Sequence, residues 1–382
     1  MPPEAPLAGI FQYDQAQALH SAGMRVGVIA PELRSLRRLP YLRDWLRVGS
    51  RSALESGIRV YRRHGWHWAL PAVGFGQAPV WLRAGRKLFR EYIRQEGKPD
   101  VVHAHNARYA GMLGEWIKRR YKIPFVLTEH SSAYARGMIP PGELPAIRNA
   151  FANADARMVV SNALGADVGR VVGPQASPWQ VLPNVLDPMF ENLELPPPRT
   201  RSGPFRFVSV AQLNANKGHA DLLAACQLVA READFELHIV GEGPLEKTLR
   251  TLTGTLGLGE RVKFVGQLGR KIVLEEILDS DGLILSSHRE TFGVVLVEAL
   301  ACGKPVIATR SGGPEDIVTP ENGFLVPPSA PRDMASAMLQ MIRAAAQFDR
   351  NNLRQECIRR FGRAALVGSL METYESVARP AS

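Results

Sequence analysis

Ser286 to Gly313 reads SSHRETFGVVLVEALACGKPVIATRSGG, and this stretch constrains the fold more than any other. From Val294 to Cys302 every residue is apolar except Glu298. A run that is hydrophobic all round reads as a buried helix. Gly303 and Lys304 make a turn, Pro305 to Thr309 is β-rich without alternation, and Gly312-Gly313 is a second turn. Gly282 to Leu285, upstream, is another short apolar run. Unalternating strands joined through a helix belong to a parallel sheet covered on both faces. The stretch therefore predicts a strand–helix–strand unit of an α/β sheet.

The same stretch carries chemistry. Glu298 would be a carboxylate among aliphatic side chains, and burying an unpaired charge costs several kcal/mol. It needs a partner, either a protein cation or the hydroxyls of a ligand. Lys304 is the nearest cation in sequence but lies beyond the helix. Glu290 stands at the helix entrance with Thr291, Phe292, Gly293 and Val294. Backbone amides at a helix start suit an anion, typically a phosphate. A diol acceptor, a phosphate cradle and a second carboxylate together describe a site for a sugar nucleotide.

Glu290, seven residues, Glu298, Ala299, Gly303, Pro305-Val306 and Gly312-Gly313 together resemble the donor signature of glycosyltransferase family 4. The resemblance implies retaining enzymes of the GT-B fold, two Rossmann-like domains facing a cleft. It implies that Glu290 contacts the transferred sugar and Glu298 holds the ribose hydroxyls. His130, in Thr128-Glu129-His130, matches the family's T-x-H position, where the histidine faces the sugar. Lys217, in the loop Gln212 to Gly218, matches a lysine on the donor phosphates; Gln212 stands where the family usually has arginine. A neutral amide brings no charge, so this loop has less to offer a phosphate. Gly9 matches the glycine that approaches the donor pyrophosphate, but the strand that precedes it in the family is missing here. That implies an incomplete N-terminal domain.

Bulk properties bound the rest. The 382 residues suffice for two domains, and 45% hydrophobic with 22% charged is an ordinary globular composition. No apolar run reaches a membrane span, no signal-peptide pattern opens the chain, and three cysteines without metal-ligand spacing fit a reducing cytosol. Residues 1–190 hold 25 Lys and Arg against 14 Asp and Glu, and all six tryptophans. Arg34 to Arg51 carries six arginines with Leu36, Leu39, Leu42, Trp45 and Leu46 at roughly helical spacing, broken by Pro40. With Trp66-His67-Trp68 read as a loop, this basic segment suits an anionic membrane surface or a lipid-linked acceptor. No nucleic-acid motif accompanies it.

Along the chain, three prolines within Met1 to Pro6 exclude a helix or central strand. Strands are predicted at 25–30, 57–63, 100–105, 124–128, 157–161 and 180–182, then at 205–211, 236–240, 262–265, 282–285 and 324–326. Helices are predicted at 80–95, from 219, at 331–346 and at 363–377. His103 and His105 could present two metal ligands on one strand face, and Asp279-Ser280-Asp281 spells a D-x-D metal motif. The histidines have no third ligand nearby, the D-x-D string precedes the strand 282–285 where the resembled family has a structural Asp, and no metal is expected. Gly241-Glu242-Gly243 follows a strand as a nucleotide-side loop would. Glu246 at the third glycine position argues against NAD.

The expectations are then definite. Domains are 1–190 on the acceptor side, a linker at 191–204, a donor-nucleotide domain at 205–362, and a helix at 363–382 crossing back. The function is transfer of a sugar from a nucleoside diphosphate to a glycan or lipid-linked hydroxyl, in cell-surface polysaccharide or glycolipid synthesis. No cofactor is required. The location expected is cytoplasmic, with peripheral attachment to the inner membrane face as the option the basic half leaves open. The competing readings are a sugar-nucleotide epimerase of the same fold and a non-catalytic sugar-nucleotide-binding protein.

Overall fold

The computed structural model describes residues 9–35, 49–67, 77–197 and 203–378. The chain divides into two compact units. One holds the chain up to Val160, Leu164–Leu182 and the chain from Leu366; the other holds Ser161–Ala163 and Pro183–Ala365.

The first unit contains β1 (Gly27–Ser35), β2 (Gly49–Glu55), β3 (Ile58–His67), β4 (Val102–His105), β5 (Phe125–Glu129), β6 (Ala156–Val159) and β7 (Gln180–Val181). They form two sheets, ordered β1-β3-β2 and β4-β5-β6-β7. Among the described residues no strand joins β1 to β4; the place expected to lack a strand, ahead of Gly9, lies outside them. β1 and β3 pair in parallel from Gly27 opposite Arg59 to Ser35 opposite His67. β2 folds back on β3 through Ser56 (φ 45°) and Gly57 (φ 83°), both left-handed, as a tight hairpin turn requires. Phe89, Leu113, Ile117 and Ile123 are buried together, with Ile29 of β1 and Val102 of β4 packed on them.

Three expectations about the basic segment change here. Arg34 lies in β1, Gly49 to Arg51 open β2, and residues 36–48 lie outside the described residues. Trp66 and His67 end β3 rather than forming a loop, because the parallel register with β1 runs on to Ser35. Trp45 and Trp68 lie outside the described residues, as does the proline-rich start.

The second unit is one parallel sheet built from β8 (Phe205–Val210), β9 (Phe235–Val240), β10 (Val262–Gly266), β11 (Gly282–Leu285), β12 (Val306–Thr309) and β13 (Gly323–Val326). Its order is β10-β9-β8-β11-β12-β13. β11 and β12 are buried at every residue, which is why GLIL and VIAT show no alternation. Helices pack on the sheet through Leu222, Leu223 and Val229, and through Met334 and Met338, against Phe207, Leu237, Ile239, Ile284 and Ile307.

Candidate functional site

The strand order of the second unit fixes where a ligand can bind. From β8 the chain moves outward through β9 and β10, then returns to place β11 on the other side of β8. That reversal opens a crevice between the carboxyl ends of β8 and β11, the switch point where doubly wound sheets take ligands. Two loops leave from those ends, 211–218 and 286–293. They are tied together. His288 N donates to the Asn216 carbonyl (2.7 Å), Asn216 Nδ2 to the Arg289 carbonyl (2.8 Å), and Ser286 Oγ to the Lys217 carbonyl (2.8 Å).

Across this seam Lys217 Nζ lies 2.6 Å from Glu290 Oε2. The two side chains keep 22% and 15% of their exposure, so the pair is reachable yet partly desolvated. Glu290 Oε1 accepts from the Thr291 amide at 3.1 Å. That contact corrects the expectation that Thr291 offers its N–H to a ligand: the neighbouring carboxylate takes it first. Phe292 is 2% exposed, and its ring meets Phe361 edge-on, centroids 6.0 Å apart. Its side chain is core, so only its backbone can face a ligand. Gly293, at φ 98°, takes the left-handed turn that starts the helix Val294–Ala301.

That helix is not buried all round. Leu296, Val297, Ala299, Leu300 and Ala301 are buried. Val294, Val295 and Glu298 are half-buried and share the opposite stripe at helical spacing. Glu298 is therefore a carboxylate on the helix's more open side, not one walled in by aliphatic neighbours. The chain is apolar there because its sheet, its neighbouring helix and its loop each cover part of the circumference.

Gln212 sits in the same loop as Lys217, its Oε1 taking Asn214 Nδ2 at 3.4 Å. The loop is propped from below. Leu213 N donates to the Glu242 carbonyl (2.9 Å), and Gly241 passes so close to the Ala211 carbonyl that a Cβ would stand 2.0 Å from it. Asp281, of the D-x-D string, accepts from the Arg206 amide at 2.8 Å, a structural tie between β8 and the start of β11.

His219 follows Lys217-Gly218 and is 2% exposed. Burial, and then the nearby Lys217, pushes its imidazolium down to about 4.

His130 and Gly9 belong to the first unit. Gly9, at φ 78°, caps the helix Ile10–Ser21. His130 leaves β5 in a loop organised by a residue that sequence reading passed over. Glu129 is fully buried without an ion pair among the described contacts, and its carboxylate takes four donors. These are the amides of Ala107 (2.8 Å), His130 (2.9 Å) and Ser131 (2.9 Å) and the Tyr134 hydroxyl (3.1 Å). Burial raises its pKa, and those donors pull the other way. A glutamate ending an otherwise apolar strand was the available signal. His103 is engaged at both ring nitrogens, by Thr128 Oγ1 (2.7 Å) on one side and by Tyr374 (2.6 Å) and Gln15 (3.1 Å) on the other. Among the described residues no group of three His, Cys, Asp or Glu is arranged to hold a metal ion.

Solved structures share this architecture. Sucrose-phosphate synthase from Thermosynechococcus elongatus superposes with a TM-score of 0.71 at 22% identity, over 97% of this chain and 93% of its own. Anabaena HepE, solved in complex with UDP, gives 0.66 at 19% identity over 92% and 100%. The protein is thus of the GT-B-type α/β class. Residues 193–360 match the family described as Glycosyl transferases group 1, and residues 8–190 match Glycosyltransferase Family 4. The two matches together span most of the chain, which belongs to glycosyltransferase family 4. Among curated relatives, the putative teichuronic acid biosynthesis glycosyltransferase TuaC of Bacillus subtilis is 26% identical over 87% of this chain and 84% of its own length. Glycogen synthase of Mycobacterium tuberculosis is 29% identical over 66% of this chain, and the match spans 62% of that relative's length. No helix among the described residues is long and apolar enough to cross a membrane.

Proposed function

We propose that the protein transfers a sugar from a nucleoside diphosphate to an acceptor hydroxyl with retention at the anomeric carbon. The acceptor is a glycan or a lipid-linked hydroxyl of cell-surface polysaccharide or glycolipid synthesis. The observation that carries the reading is the Lys217–Glu290 pair at the switch point, beside the start of the helix Val294–Ala301. The anomeric bond to the diphosphate breaks, and a bond to the acceptor oxygen forms on the same face. The acceptor's proton passes to the leaving phosphate oxygen. Lys217, the amides at the helix start and Gln212 meet the charge that develops on the diphosphate, as fixed donors do best. Glu290 and His130 orient the sugar, and Glu298 takes the ribose hydroxyls. Lys217 supplies the cation, so no metal ion is required.

Incubation with a panel of nucleotide sugars tests this. One donor should be consumed with release of its nucleoside diphosphate, at an unchanged rate in EDTA. Binding of none of UDP, GDP or ADP by the folded protein, or release of an epimer in place of free sugar, would sink it.

The helix Gln77–Glu96 suggests where the protein works. Arg83, Lys87, Arg90 and Arg94 are exposed at helical spacing, opposite the buried Ala84, Leu88 and Phe89. A basic stripe of that kind fits an anionic membrane surface, each charge contributing about 1 kcal/mol near it. Sedimentation with anionic vesicles should be strong at low salt and lost in the charge-reversed variant R83E/K87E/R90E. Equal binding to neutral vesicles, or none to either, removes the idea.

A further inference from the structure

The histidine placed on the sugar does not stand alone. His105 Nδ1 lies 3.1 Å from His130 Nε2. The His105 ring is itself stacked on His103, centroids 4.4 Å apart at 21°. His103 is fixed in turn. Its Nδ1 lies 2.6 Å from the Tyr374 hydroxyl and 3.1 Å from Gln15 Nε2, and its Nε2 lies 2.7 Å from Thr128 Oγ1. The backbone end of His130 is held as firmly: its N–H is shared between Glu129 Oε1 (2.9 Å) and Asn106 Oδ1 (3.2 Å). Asn106 adopts φ 70°, an uncommon conformation for a side-chain-bearing residue, and this turn follows directly on His105.

We propose that His105 is a positioning residue for His130: it fixes the ring orientation of His130 and couples the tautomers of the two rings. The inference rests on the reading of His130 as a sugar contact. Two neutral imidazoles that meet nitrogen to nitrogen must have complementary tautomers, one donating and one accepting. Burial, and then the facing rings, holds His105 well below the usual imidazole range, and burial takes His103 to about 3. A neutral, stacked His105 therefore ties its tautomer to that of His130: the proton between them belongs to one ring or the other, and the two rings change only together.

The side-chain geometry supplies a selective test. An asparagine amide hangs from Cγ as Nδ1 does, whereas a glutamine amide reaches to where Nε2 sits. His105→Asn should keep the contact; His105→Gln and His105→Ala should lose it. Loss should lower kcat roughly ten- to a hundredfold with donor KM within about twofold, since misplacing an orienting group costs that much. His105→Asn should recover to within about threefold of the parent, an allowance for one altered hydrogen bond. Nitrogen-15 spectra of histidine-labelled protein read the tautomer without any substrate. The His130 ring-nitrogen shifts of His105→Ala should differ from those of the parent, with circular dichroism confirming that both are folded. An identical His130 signal in the parent and in His105→Ala overturns the proposal, as does equal kcat in the Gln and Asn variants. Full activity of His130→Ala would instead overturn the sugar-contact reading and the kinetic consequence with it, while the spectra still decide the tautomer.

Discussion

Lys217→Ala is expected to lower kcat for sugar transfer by about a hundred- to a thousandfold, the usual cost of removing one preorganised donor from a developing anion. The position of the amine is set by backbone on both sides. Ser286 Oγ holds the Lys217 carbonyl, and Asn216 bridges to the Arg289 carbonyl at 2.8 Å. The ammonium is therefore aimed before any ligand arrives. Without a ligand its partner is Glu290, at 2.6 Å. On the proposed role, removing Lys217 would strip a donor diphosphate of its cation and leave a partly desolvated carboxylate facing it, so two unfavourable changes would act in the same direction. Lys217→Arg keeps the charge but spreads it over a planar fork, and should recover only part of the rate. Steady-state release of nucleoside diphosphate measures all three proteins. A kcat within about threefold of the parent in a folded Lys217→Ala would remove the lysine from the reaction, since an effect that small is worth well under 1 kcal/mol.

Gly313→Ala should cost the second unit about 3 kcal/mol or more, because the added methyl meets backbone that cannot step aside. A Cβ there would stand 2.3 Å from Phe292 Cα, 2.4 Å from Phe292 N and 2.5 Å from the Thr291 carbonyl carbon. The segment it would strike is pinned at 2.8 Å by Gly313 N on the Glu290 carbonyl and at 2.9 Å by Glu290 N on the Ser311 carbonyl. Relief means parting the two strands of backbone, which breaks those bonds and moves Glu290. Urea unfolding can separate the units, because all six tryptophans belong to the first. Far-UV ellipticity should lose part of its amplitude at lower urea, while the tryptophan fluorescence transition keeps its midpoint. Donor binding should be lost over the same range. An unchanged ellipticity transition would show that the turn can relax.

Much of the second unit was legible because parallel strands buried on both faces are written as unbroken apolar runs. GLIL and VIAT sit where those runs predict. The first unit was harder. Its hairpin turn Ser56-Gly57 is short, and the basic residues before it hide a strand, β2, whose pattern of exposure gives no apolar face. Glu298 was read as walled in because sequence shows only what surrounds a residue along the helix. Which side the sheet and loops leave open is decided by packing. The spacing of His103 and His105 shows only that they share a strand face. Their partners, Thr128, His130 and Tyr374, come from β5 and its carboxyl end and from the last helix.

The sequence alone determined the class of fold and the family, because apolar periodicity, glycine turns and the spacing of Glu290 and Glu298 are local properties of the chain. Only the tertiary structure decided which side chains lie beside one another. Lys217 and Glu290 are 73 positions apart and meet because β11 returns to the side of β8 that β9 left open. His105 and His130 are 25 apart and meet because β4 and β5 pair in parallel, bringing their carboxyl ends to one edge. A hydrogen bond needs its atoms within about 3 Å of one another. Distance along the chain carries no record of that until the strands have chosen their neighbours.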